Sequence, residues 1–168
     1  MNEKHLNFKI LLFYIAFALI TLIFAIVFCI RIFKVTTFDD LSDIKRANLM
    51  INGPITTKKE DTYYVYIYSS KAHDTNYAYE EVEPTIFTYF TFVAKGNKNE
   101  NIKIYAYDVD TFSETNQFKT VNDYLQSLNG SLKTSELPAL VKVSNGAVSS
   151  AYTGINKIVG ELQGVMAK

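Results

Sequence analysis

"E-L-P-A-L-V-K-V-S-N-G", residues 136 to 146, holds a strand and the turn that folds it back. Ala139 to Val143 reads as a short strand. Asn145-Gly146 follows, the pair best suited to a two-residue hairpin because both positions tolerate positive φ. Val148 to Tyr152 then reads as the returning strand. A helix closes the chain from Ile155 to about Met166, with Ile158, Val159, Leu162 and Val165 as its apolar stripe.

Upstream of this hairpin the pattern alternates between helix and strand. Val121 to Leu128 places Tyr124, Leu125 and Leu128 on one helical side and is capped by Asn129-Gly130. Ile102 to Tyr107 alternates as a strand and turns out through Asp108-Val109-Asp110. Tyr77 to about Ala94 reads as an amphipathic helix ended by Gly96-Asn97, although Pro84 stands within it. Ser69 to Thr75 is a polar loop, and Tyr63 to Tyr68 is a strand dense in aromatic and β-branched residues. A further helix is expected over 38 to 49, stopped by Asn52-Gly53-Pro54, with a polar connector from Thr56 to Asp61. The order helix, β, α, β, α, β, β, α predicts an α/β fold. Its strands should form a central mixed four-stranded sheet flanked by helices, with right-handed crossovers and an antiparallel pair at one edge.

The N-terminus is different in kind. Residues 10 to 30 are uncharged and bounded by Lys9 and Arg31. As a helix the run would measure about 30 Å, the thickness of a bilayer core. It is longer than a signal-peptide core, and no small-residue cleavage site follows it. Phe28 is too bulky to precede a lipidated Cys29. The chain is therefore expected to comprise a leader at 1–9, a transmembrane anchor helix at 10–33, a juxtamembrane helix and connector at 34–61, and a folded domain at 62–168. Lys4 and Lys9 before the run nearly balance Arg31 and Lys34 after it. A short leader left inside favours a single-pass cell-membrane protein with its C-terminal domain extracytoplasmic.

Composition removes several classes of activity. Lys plus Arg number 17 and Asp plus Glu number 17, so the basic excess that a nucleic-acid surface needs is missing. The single cysteine, Cys29, lies in the apolar run. Disulfides, thiolate metal sites, cysteine nucleophiles and dithiol chemistry are thus closed to the domain. His73 is the one histidine beyond the leader, too few for a zinc site. With Asp74 beside it a general base is conceivable, and a solvated loop histidine is the plainer reading. Glu80, Glu81 and Glu83 read as an acidic, solvated helix face, and Asp108 with Asp110 offers too few oxygen ligands for calcium. No catalytic residue, cofactor or metal is assigned.

Residues 62 to 167 resemble the thioredoxin fold in three places. Glu136 to Gly146 is similar to the family's apolar-Pro-strand-Asn-Gly segment, Tyr152-Thr153-Gly154 to the end of its last strand, and Tyr107 to Asp110 to the acidic end of its middle strand. The resemblance implies that Pro138 is cis and faces the ancestral active site. It also gives Pro84 a place, since the family's helix after the redox motif carries a proline five residues past the second cysteine. Counting back puts Tyr79 at the second cysteine position and Asn76 at the first, so C-x-x-C reads Asn76-Tyr77-Ala78-Tyr79. The other reading of Pro84 is the first turn of a shorter helix, where proline costs little.

A helix N-terminus favours a thiolate, but Asn76 and Tyr79 supply none. What the resemblance leaves is the surface its members use for polypeptides: the edge beside Pro138, where the backbone of Leu137 would pair with an extended segment. Asn76, Tyr77, Tyr79, Leu137 and Pro138 are the expected contact face. The expected function is a membrane-anchored, redox-inactive, thioredoxin-like accessory or scaffold subunit of a membrane or cell-envelope assembly that binds a protein or extended polypeptide. The alternative is an oxidoreductase-related or chaperone-like envelope protein. The oligomeric state is not legible.

Overall fold

The computed structural model describes residues 3–33, 36–96 and 102–167; the side chains of 3–9, 11 and 27–33 are not among those described. The chain divides into two compact units, Met1–Lys34 and Val35–Lys168. The first is one helix, α1, Glu3–Phe33. Among the described residues no helix is long and apolar enough to cross a membrane. The anchor expected over 10–33 lies within α1, with the side chains at 11 and 27–33 not among those described.

The second unit runs α2 (Leu41–Arg46), β1 (Thr62–Tyr68), α3 (Tyr77–Ala94), β2 (Lys103–Asp108), α4 (Val121–Leu128), β3 (Ala139–Ser144), β4 (Ala147–Thr153) and α5 (Ile155–Met166), with short 3-10 turns between. The sheet order is β2-β1-β3-β4. β1 and β2 are parallel, and β3 runs antiparallel to both of its neighbours. Asn145 and Gly146 take φ of 51° and 75° between β3 and β4, as the hairpin pair requires.

β1 is central, and its period-two alternation feeds two cores. Tyr64 and Tyr66 point into the core beneath α3 and α5, with Val82, Ile86, Tyr89, Phe90, Ile158 and Leu162. Tyr63, Val65 and Ile67 point the other way, towards Tyr124 and Leu125 of α4. A strand covered on both faces is buried almost throughout, and Tyr63 to Tyr68 are all buried. In α5 only Ile158 and Leu162 of the expected stripe are buried, with Val159 and Val165 at its half-buried margins.

Two boundaries differ from the sequence expectation. α2 is shorter than 38–49 because Asp40 and Asp43 form a reciprocal capping box that starts it, and Asn48 takes a φ of 57° that ends it. The segment expected as a juxtamembrane connector is part of the folded unit. Phe38 and Ile44 enter one core and Ile51 and Ile55 the other. Its backbone also covers the outer edge of β2: Ile51 N–H donates to Ala106 at 2.8 Å, and Ala106 N–H donates to Leu49 at 3.0 Å. Pro84 lies in the interior of α3 rather than its first turn, on an exposed face where water can solvate the Glu80 carbonyl that loses its donor.

Candidate functional site

Three segments meet where the β1 chain leaves the sheet: the loop after Tyr68, the N-terminus of α3, and the turn before β3. Asn76 is the N-cap of α3. Its Oδ1 accepts from the Ala78 N–H at 3.0 Å, satisfying one of the helix's orphan donors. Its Nδ2 donates to the Leu137 carbonyl at 3.1 Å. One side chain thus ties the helix start to the residue before Pro138. The Leu137–Pro138 bond is cis.

Tyr79 sits three residues on and is buried, with its hydroxyl accepting from the Ser69 N–H at 3.0 Å. Burial raises its pKa. The expectation that Tyr79 stands at an exposed end is therefore corrected: the third helical position turns inward, onto the sheet. Leu137 and Pro138 are buried as well, and Asn76 is half-buried. Of the five expected contact residues Tyr77 alone is well exposed, at 65%. Its hydroxyl donates to Glu81 one turn along the helix.

The loop between β1 and α3 is held by carboxyl groups. Asp110 Oδ2 accepts from Ser69 Oγ at 2.8 Å and from the Lys71 N–H at 2.8 Å, while Asp108 Oδ1 accepts from the Ser70 N–H at 3.2 Å. Burial pushes the Asp110 carboxyl up, but these donors and the nearby Lys71 outweigh it and hold the group below its ordinary value. The acidic end of β2 is a clamp for the loop, a role its spacing alone did not suggest.

His73 also has partners that its sequence position concealed. Nε2 lies 2.8 Å from Glu83 Oε2 and Nδ1 lies 3.1 Å from Asp74 Oδ1. Glu83 is buried and also accepts from the Tyr66 hydroxyl at 3.1 Å. The bond to Glu83, then that to Asp74, raises His73 above its ordinary pKa against the opposing effect of burial. Carboxyl oxygens at both nitrogens favour the cation, which donates twice and has no lone pair for a base to use. The acidic helix face also divides: Glu80 and Glu81 are exposed, whereas Glu83 turns inward to pair with His73. Among the described residues no group of three or more metal-ligating side chains converges.

Strand order β2-β1-β3-β4 with β3 reversed, two crossover helices, and a cis-proline opposite a helix N-terminus together define a known arrangement. The fold is thioredoxin-like. No family model matches the chain, and no curated protein matches it. Solved structures do. A mutant thioredoxin from Halobacterium salinarum NRC-1 aligns at 16% identity and a TM-score of 0.44, covering 71% of this chain and 88% of its own. A candidate oxidoreductase with a thioredoxin fold aligns at 11% identity and a TM-score of 0.46, covering 71% of this chain and 93% of its own. Asn76 and Tyr79, which the sequence resemblance set at the two cysteine positions, are here a helix cap and a buried side chain.

Proposed function

We propose that the chain is a membrane-anchored, redox-inactive, thioredoxin-like module that binds a protein or extended polypeptide as an accessory or scaffold subunit of a cell-envelope assembly. The observation carrying this reading is Asn76. It caps α3 at the first motif position and fills the Leu137 carbonyl from within. Leu137 is buried and its carbonyl already accepts from Asn76, which favours the exposed Tyr77 at the same corner as the contact. The anchor reading is supported by the uncharged run from 10 to 30, whose described large side chains, Phe13, Phe17 and Phe24 among them, are exposed. The reading places the second unit on the extracytoplasmic side.

A photo-crosslinking residue at position 77 in the full chain, in intact cells, tests the reading. One adduct of discrete mass supports a dedicated subunit. A smear of many exported proteins would favour the chaperone-like alternative, and no adduct would overturn the Tyr77 face. Proteinase added outside intact cells should remove the second unit while sparing a short N-terminal fragment; full protection would overturn the placement.

A further inference from the structure

A groove with a volume of about 520 Å³ runs along the outer side of α3, between the helix and the segment at 37–39. That volume falls within the ~300–1,000 Å³ of ordinary binding sites. Its second wall is pinned in place: the Phe38 N–H donates to Thr91 Oγ1 at 2.9 Å, and the Phe38 ring meets Phe90 with centroids 5.3 Å apart. Tyr77, Glu80, Pro84, Phe87 and Thr88 recur at helical spacing on that same side of α3. Tyr77 therefore stands one turn beyond the end of the groove.

The lining is a set of acceptors. Asp39 and Glu80 are exposed on opposite walls, and neither takes part in an ion pair among the described residues. The helix dipole accounts for Glu80 in the first turn of α3, but Asp39 comes from another segment. On the same side Pro84 leaves the Glu80 carbonyl without its helical donor. Thr88 has its hydroxyl proton committed to the Pro84 carbonyl at 2.7 Å, and Glu83 is already paired with His73 and Tyr66. No Lys, Arg or His borders the groove among the described residues, although acids and bases balance at 17 each over the chain.

Tyr77 supplies the independent sign of a contact. Beyond α1 it is the one large apolar side chain that is exposed among the described residues. Its hydroxyl is held by Glu81, which fixes the ring at the surface. A fixed, exposed aromatic is the usual anchor of a protein contact.

We infer that the partner segment at the Tyr77 corner is basic and extended, and that it lies along α3 with a lysine or arginine seated between Asp39 and Glu80. The inference rests on the proposed function and adds the chemistry of its partner. A cationic head brings the donors that both carboxylates and the Glu80 carbonyl lack. Its aliphatic stem covers the half-buried Phe87, and a second cation can sit over the Tyr77 ring. From Tyr77 to Thr88 the helix advances about 16 Å, the reach of about five extended residues. An acidic segment would meet like charge along the whole path.

The test is calorimetric titration of the full chain, in uncharged detergent micelles, with an acetylated and amidated oligopeptide alternating arginine and serine. The same peptide with glutamate for arginine is the control. Saturable binding of the arginine peptide is expected, weaker at higher salt, with none of the glutamate peptide. Asp39→Asn and Glu80→Gln should each weaken it about two- to fivefold, and Tyr77→Ala about fivefold or more. Glu114→Gln removes the same charge from another exposed position and should change nothing. All four positions are exposed, so each variant should keep the native unfolding transition. No saturable binding, equal weakening by Glu114→Gln, or affinity unchanged in both Asp39→Asn and Glu80→Gln would overturn the inference. A partner crosslinked at position 77 in cells, with no binding of the arginine peptide, would overturn this inference and leave the proposed function standing; peptide binding with no adduct in cells would do the reverse.

Discussion

Asn76 donates from Nδ2 to the main-chain carbonyl of Leu137 at 3.1 Å, joining the start of a helix to the turn before β3, 61 residues away. The same side chain caps that helix through Oδ1. Two functions in one amide make the residue a structural fastening between α3 and the turn before β3.

Asn76→Ala should lower the unfolding free energy by about 1–2 kcal/mol, the combined worth of a cap and a neutral hydrogen bond. Asn76→Ser keeps a capping oxygen but cannot reach Leu137, and should cost less. Urea unfolding of both variants checks this; equal costs would mean that the cap contributes nothing, and a neutral Asn76→Ser would mean that the tie to Leu137 contributes nothing.

The two motif tyrosines should behave oppositely. Tyr77 is exposed, so Tyr77→Ala should leave the unfolding transition nearly unchanged while weakening recovery of a crosslinked partner. Tyr79 is 1% exposed, and Tyr79→Ala should destabilise by about 3–5 kcal/mol through the cavity it leaves. It is therefore a poor probe of binding, and a mild effect on stability would contradict the burial.

Stability should depend on pH through His73. Its folded pKa is raised by Glu83 and Asp74, so the folded chain holds the proton more tightly than the unfolded one. The resulting stabilisation is fully present below the unfolded value of about 6.5 and is lost as pH rises through the higher folded value. Denaturation midpoints measured from pH 6 to 9 should fall for the native chain and fall less for His73→Gln. Parallel curves would remove His73 as the cause.

Pro84 occupies an exposed position inside α3, with Val82 and Ile86 buried on either side of it. Pro84→Ala restores a helical N–H for the Glu80 carbonyl and should stabilise the domain, with an upper bound of about 3 kcal/mol. A lower melting temperature would instead show that the packing of Val82 and Ile86 depends on the proline.

The sequence by itself determined the elements and their order, because local periodicity, turn chemistry and capping need only neighbours in the chain. The strand β1 was legible in its run of Tyr, Val and Ile, and the hairpin in Asn145-Gly146. The cis bond before Pro138 followed from the resemblance carried by residues 136 to 146. Tertiary structure decided what the site residues do. Tyr79 turned inward and Tyr77 outward because α3 presents one face to the sheet, a direction that spacing around Pro84 did not settle. Glu83 left the acidic face to meet His73 and Tyr66, and Asp110 closed on Ser69 and Lys71, because hydrogen-bond partners distant in sequence become neighbours only when the strands are laid side by side. The connector before β1 joined the cores for the same reason: its few apolar residues gain burial only against a sheet that the rest of the chain has to build.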